Sequence, residues 1–179
     1  MKFFLIWLFL QNQLLMVTLW LRSLEKKEYM NSAQETFISS TNWTERIGPV
    51  AAIATINKYI EKDVSTHIIN TGNKFIEILR SKSEKHGLSL KTSGLPSLVS
   101  FSFDNAKNQE IMTFFTIEMQ KRGILGFRQF KPSLSHTDKD LQVFSDAVDE
   151  VFGLIAKGKW NDGIDSPIAH TGFKRLTAE

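Results

Sequence analysis

The residues best suited to chemistry lie in one stretch, Ser39-Ser40-Thr41-Asn42-Trp43-Thr44-Glu45-Arg46-Ile47-Gly48-Pro49, which runs into the apolar Val50-Ala51-Ala52-Ile53-Ala54. Ser39, Ser40, Thr41 and Thr44 bring hydroxyls. Pro49 suits the first position of a helix, where its missing N–H costs nothing. Hydroxyls beside the free N–H groups of a helix N-terminus make an anion site. The same residues also describe an ordinary capped helix. Elsewhere the reactive types are dispersed. His67, His86, His136 and His170 lack metal-ligand spacing, so no metal site is expected. Cysteine is absent, which excludes disulfides, thiolate catalysis and zinc–thiolate sites.

The chain has 179 residues, enough for one buried domain with an appendage. A hydrophobic content of 42% with 23% charged residues is that of a globular protein. The net charge of +3 is small, and lysines are mixed with carboxylates throughout, so nucleic acid is not an expected partner.

The elements that must position the loop follow from periodicity. Val50, Ile53, Ile56 and Ile60 recur at helical spacing over residues 49–61. A second helix starts near Val64, with Ile68, Ile69, Gly72, Phe75, Ile76 and Leu79 as its stripe, and ends at His86-Gly87. Residues 88–91 and 98–104 read as strands around a turn at Thr92-Ser93-Gly94-Leu95-Pro96. Val99, Phe101 and Phe103 share one strand face. Residues 108–122 read as a helix carrying Ile111, Phe114, Phe115 and Met119, stopped by Gly123. A short strand is expected at 124–127, then a loop over 128–132. Thr137 is a good N-cap, with Asp140 three residues on in a box-like pattern. The last long helix carries Leu141, Phe144, Val148, Val151, Phe152 and Ile155. Beyond Gly158 no period is visible, and a loose extension is expected.

Residues 37–56 resemble the segment that follows the cofactor lysine in class III pyridoxal-phosphate aminotransferases, in the glutamate-1-semialdehyde 2,1-aminomutase-like branch. The chain to about Gly158 resembles that family's C-terminal third. The resemblance implies an α+β fold: the C-terminal small domain of a fold-type I pyridoxal-phosphate enzyme plus its linking helices, with most of the large cofactor domain missing. It divides the chain into residues 1–24, an apolar segment; 25–61, a remnant of the large domain and linking helix; 62–158, the small domain; and 159–179, a tail. The implied cofactor of the intact family member is pyridoxal 5'-phosphate. The implied assembly is a cytoplasmic homodimer acting on a small amino acid or semialdehyde. A hydroxyl in the family's loop reaches the cofactor phosphate of the other subunit. Matching on Pro49 assigns that role to Thr44, with Ser40 and Thr41 as fallbacks. Arg128 and Lys131 fall on a loop near the active-site mouth, where Arg128 would meet a substrate carboxylate. His136-Thr137 is read as helix-start chemistry. No lysine here stands in the context of the family's Schiff-base lysine. Lys2, Lys26 and Lys27 are near in sequence but differently surrounded, so no catalytic residue is assigned and the chain is expected to be inactive alone.

Residues 1–21 are the anomaly. Met1 to Leu10 is almost wholly apolar, Gln11-Asn12-Gln13 interrupts it, and Leu14 to Leu21 is apolar again. One reading is a signal or anchor segment, since the length spans a bilayer. Three amides at its centre oppose that, because each needs a partner in hydrocarbon. The other reading is out-of-frame translation before about Glu25. Read from the third codon base, Gln11-Asn12 permits only Lys or Glu, Asn12-Gln13 permits Ser or Pro, and Met16-Val17 forces Gly. The stretch then resembles the family's Ala-Lys-Ser-Ile-Ala-Asn-Gly. If the first reading holds, the chain is an anchored interaction protein. If the second holds, it is a fragment, or a non-catalytic subunit lending Thr44 to an intact copy. A fragment leaves an apolar face exposed around Ile53, Ile56 and Ile60, favouring self-association. The DNA is decisive: the out-of-frame reading requires a lysine codon across Gln11-Asn12, and a glutamate codon there ends it.

Overall fold

The structure, a computed structural model, describes Asn31, Glu35, residues 46–164 and residues 166–170. It comprises two compact units, residues 1–63 and 64–179. In the first, helix α1 spans Ile47–Glu61 with Arg46 at its N-cap. The helix therefore begins two residues before Pro49, which is its third residue and not its first. The proline is still tolerated, because N–H groups of a first turn have no intrahelical acceptor. Gly48 and Ala52 are the buried positions. Ile53 and Ile60 are 60% and 73% exposed, and Val50 and Ile56 are exposed too. The apolar stripe read from the sequence is thus exposed.

The second unit is α+β. Helix α2 spans Val64–Lys85, and Gly87, at φ 66°, turns the chain out of it. Its buried residues are Ile68, Thr71, Gly72, Phe75, Leu79 and Ser83. Ile69, expected in the stripe, is exposed, because the buried face follows the 3–4 spacing from Ile68 and leaves its neighbour on the far side. Gly72 meets the β-hairpin: a Cβ there would fall 1.8 Å from the carbonyl oxygen of Pro96. Only glycine permits so close an approach of helix and turn.

Strands β1 (Leu90–Leu95) and β2 (Leu98–Phe103) pair antiparallel, from Leu90 opposite Phe103 to Leu95 opposite Leu98. The turn is therefore Pro96-Ser97. The expected turn at 92–96 is mostly strand, since Gly94 holds φ 91° within the ladder. Val99, Phe101 and Phe103 are buried on one face of β2. Helix α3 spans Asn108–Lys121 and ends before Gly123 at φ 76°. It buries Ile111, Phe115 and Met119 as expected, and also Met112 and Thr113, while Phe114 is only partly buried.

Strand β3 is Gln129–Phe130, paired antiparallel with β2 through Val99 and Ser100. The expected strand at 124–127 is irregular instead. The chain reaches the sheet only at Arg128, whose carbonyl accepts from Phe101 N–H at 2.9 Å. Helix α4 spans Asp138–Ala156. Its start is the capping box read from the sequence: Thr137 N–H donates to Asp140 Oδ2 at 2.7 Å, and Asp140 N–H donates to Thr137 Oγ1. Leu141, Val148, Val151, Phe152 and Ile155 are buried. A single turn of 3-10 helix follows at Lys159–Asn161.

The three helices cover one face of the sheet around a core rich in phenylalanine. Phe103 touches Phe152, Phe152 touches Phe115, Phe115 touches Phe101, and Phe101 touches Phe75, mostly edge-on, with centroids 5.4–6.4 Å apart. Phe75 then stacks on Phe130 at 4.2 Å and on Phe144 at 4.6 Å. Among the described residues, no helix is long and apolar enough to cross a membrane. The anchor reading concerned residues 1–21, which lie outside the described residues.

At the end of α2, Lys85 Nζ lies 2.7 Å from Asp149 Oδ2, Lys82 Nζ 3.3 Å away, and His86 Nε2 2.8 Å from Oδ1. Hydrogen bonds from Lys85 and His86 hold the Asp149 carboxyl well below the usual carboxylate range. A depressed carboxyl stabilises the fold above its unfolded value, about 4, and loses that contribution as the pH falls below it. Asp149→Asn should therefore cost about 1–3 kcal/mol at pH 7, the worth of hydrogen bonds to a charged group. Urea denaturation of both proteins should show the difference closing as the pH is lowered below 4.

Candidate functional site

Thr44, Ser40 and Thr41, assigned to the cofactor phosphate, lie outside the described residues, so the structure gives them no geometry. The described helix α1 that follows them carries no acidic side chain in its first turn.

Arg128 is placed in detail. The irregular segment from Gly123 delivers it to the edge of β3, and the bond from Phe101 N–H to its carbonyl fixes its backbone. Its guanidinium Cζ sits 4.6 Å from the centroid of the Phe127 ring, within cation–π range. Nη2 donates to Gln109 Oε1 at 3.2 Å. Among the described residues Arg128 forms no ion pair. It is a half-buried cation oriented by neutral groups. Lys131 is exposed, and no contact draws it to Arg128.

Gln109 also reaches the C-terminal segment. Its Nε2 donates to the carbonyl of Ala169, and Ala169 N–H donates to Thr113 Oγ1 at 3.1 Å. Both backbone groups of Ala169 are thus held by side chains of α3. Ala169 is tied to α3 although its sequence shows no period. These partners are 56 and 60 residues apart in the chain, so no local pattern announces them.

His136 belongs to the start of α4. Its Nδ1 accepts from Ser133 N–H at 3.0 Å, and its carbonyl accepts from His67 Nε2 at 3.1 Å. This fits its reading as helix-start chemistry. Among the described residues, no group of three or more His, Asp or Glu could hold a metal ion.

No family model and no curated protein sequence matches the chain. Solved structures do. The FumI protein of Sphingopyxis sp. MTA144, in its pyridoxal-phosphate internal aldimine form, superposes with a TM-score of 0.70 at 22% identity, covering 76% of this chain and 33% of that one. A transaminase with pyridoxal phosphate bound gives 0.58 at 15% identity over 69% of this chain and 31% of its own. An S-selective transaminase from Arthrobacter sp. with alanine bound gives 0.62 at 19% identity, over 75% and 35%. The fold is that of the C-terminal part of a fold-type I pyridoxal-phosphate transaminase. The chain spans about a third of the length of each of these structures.

The described residues do not by themselves fit the cofactor carried by two of these neighbours. Pyridoxal phosphate needs an amine nucleophile, a carboxylate for the ring nitrogen and phosphate donors in one cavity. The cavity of about 380 Å³ in the second unit is walled by phenyl rings and contains no lysine. Lys74, Lys82, Lys85, Lys91, Lys121 and Lys159 are ion-paired elsewhere. Chemistry through the cofactor is therefore not assigned to these residues.

Gln109→Ala should release both Arg128 and the C-terminal segment. Hydrogen exchange at the Ala169 amide should accelerate several-fold, while stability falls by no more than about 1 kcal/mol, the worth of one hydrogen bond. An unchanged exchange rate would show that Thr113 holds the segment alone.

Proposed function

We propose that this chain is the C-terminal part of a class III aminotransferase or aminomutase, of the glutamate-1-semialdehyde 2,1-aminomutase-like branch, and that it is catalytically incomplete alone. The observation that carries this reading is the superposition of three quarters of the chain on one third of a pyridoxal-phosphate enzyme. Residues 37–56 add a stretch that resembles the family's post-lysine segment, and no lysine in the chain stands in the Schiff-base context. The intact enzyme would use pyridoxal phosphate to move an amino group, between molecules or within a semialdehyde, as a cytoplasmic homodimer. In it, Thr44, or Ser40 or Thr41 in its place, would donate a hydroxyl to the cofactor phosphate of the other subunit. Arg128, held by Gln109 and Phe127, would receive a substrate carboxylate at the mouth. The exposed Val50, Ile53, Ile56 and Ile60 face of α1 favours a second role as a non-catalytic subunit that associates with an intact copy.

The test is to add pyridoxal phosphate to the expressed chain, reduce with borohydride and map lysine adducts by mass spectrometry. No site-specific adduct is expected. A single lysine modified in full would overturn the proposal, since some residue here would then have taken the Schiff-base role.

A further inference from the structure

The ring-walled cavity of the second unit shares Phe127 with that reading, but the rest of its lining has no role there. Its floor and sides are Phe75, Phe101, Phe115, Phe130 and Phe144. Phe75, Phe101 and Phe115 are almost fully buried, so the cavity reaches the core and is not a dent in a flat surface. Its volume of about 380 Å³ lies in the range of small-molecule sites.

Gly126 explains why the space is open. It lines the cavity, and a Cβ built on it would meet the Phe115 ring at 3.9 Å and Ile124 Cγ2 at 3.8 Å, ordinary contact distances. Its φ is not in the left-handed region. The backbone does not require glycine there, and the missing side chain leaves the room.

The polar groups of the lining narrow the occupant. The His136 ring stands edge-on to Phe130, with centroids 5.1 Å apart. Because Nδ1 accepts from Ser133 N–H, the neutral ring carries its proton on Nε2, a donor. Asp140 also lines the cavity. Its carboxylate accepts from the Thr137 hydroxyl and N–H, and these bonds keep it ionised by holding its carboxyl below the usual range. The side-chain donors of the lining are His136 Nε2–H and the Gln129 amide, which bonds Ser100 Oγ at 3.4 Å, and the Asp140 carboxylate opposes an anion.

We propose that this cavity binds a small uncharged aromatic molecule bearing a carbonyl oxygen, with its ring among the phenylalanines and its oxygen accepting from His136 Nε2–H. The site uses no cofactor and stands whether or not the chain supports amino transfer.

Saturation-transfer NMR of the full chain at pH 8 with benzamide, toluene and benzoate tests it. Benzamide should bind roughly five- to tenfold more tightly than toluene, the worth of one hydrogen bond, and benzoate more weakly than either. Gly126→Val should abolish benzamide binding with the circular dichroism spectrum retained. Should that variant fail to fold, His136→Phe serves instead, lowering benzamide to the affinity of toluene and leaving toluene unchanged. The proposal fails if benzamide does not bind, if benzoate binds as well, or if His136→Phe changes nothing. It also fails if sedimentation shows a dimer in which the cavity is closed to all three probes, the mark of a second copy as occupant.

Discussion

Seven phenyl rings in edge and stacked contact run through the second unit and join nearly every element of it. Phe103 and Phe101 come from β2, Phe152 and Phe144 from α4, Phe115 from α3, Phe75 from α2 and Phe130 from β3. Each ring pair adds about 0.5–1.5 kcal/mol beyond its area burial. The sheet has three strands, and β3 has only two residues, so its ladder alone fixes little. The rings set the position of β3, and through it the position of Arg128.

The same ring contacts explain what the sequence made legible. A buried ring leaves a periodic trace, and the faces of α2, α3, α4 and β2 were readable from theirs. The Thr137–Asp140 cap was readable too, because both partners sit three residues apart. What was missed depends on distant chain. The hairpin turn is displaced to Pro96-Ser97, since Ser93-Gly94 has turn composition while the ladder with β2 keeps it extended. The 124–127 segment has strand composition but no neighbour to pair with. Ile69 has the composition of a core residue and the wrong phase.

The candidate site divides along the same line. The cationic character of residues 128–131 was visible, but neither the strand Gln129–Phe130, expected as loop, nor the environment of Arg128 was. Gln109 lies one helix away in sequence, and its two amide ends bond to groups 19 and 60 residues further along the chain. An amide is suited to this link because it can donate and accept at once. A carboxylate in that place would neutralise Arg128 and withdraw it from any anionic ligand. The isoleucine face of α1 was legible as periodicity, yet its outward orientation followed from supposing a missing surface, not from the pattern.

Two glycines of the second unit stand in opposite relations to mutation. At position 72 the hairpin carbonyl fills the space a side chain would need, so nearly every codon change is rejected by the fold itself. At position 126 neither the backbone nor the nearest neighbours exclude a Cβ, so a single base change to alanine is compatible with the fold. The first glycine is required by the fold, whereas the second is a place where the size of the ring-walled cavity can change without a change of backbone.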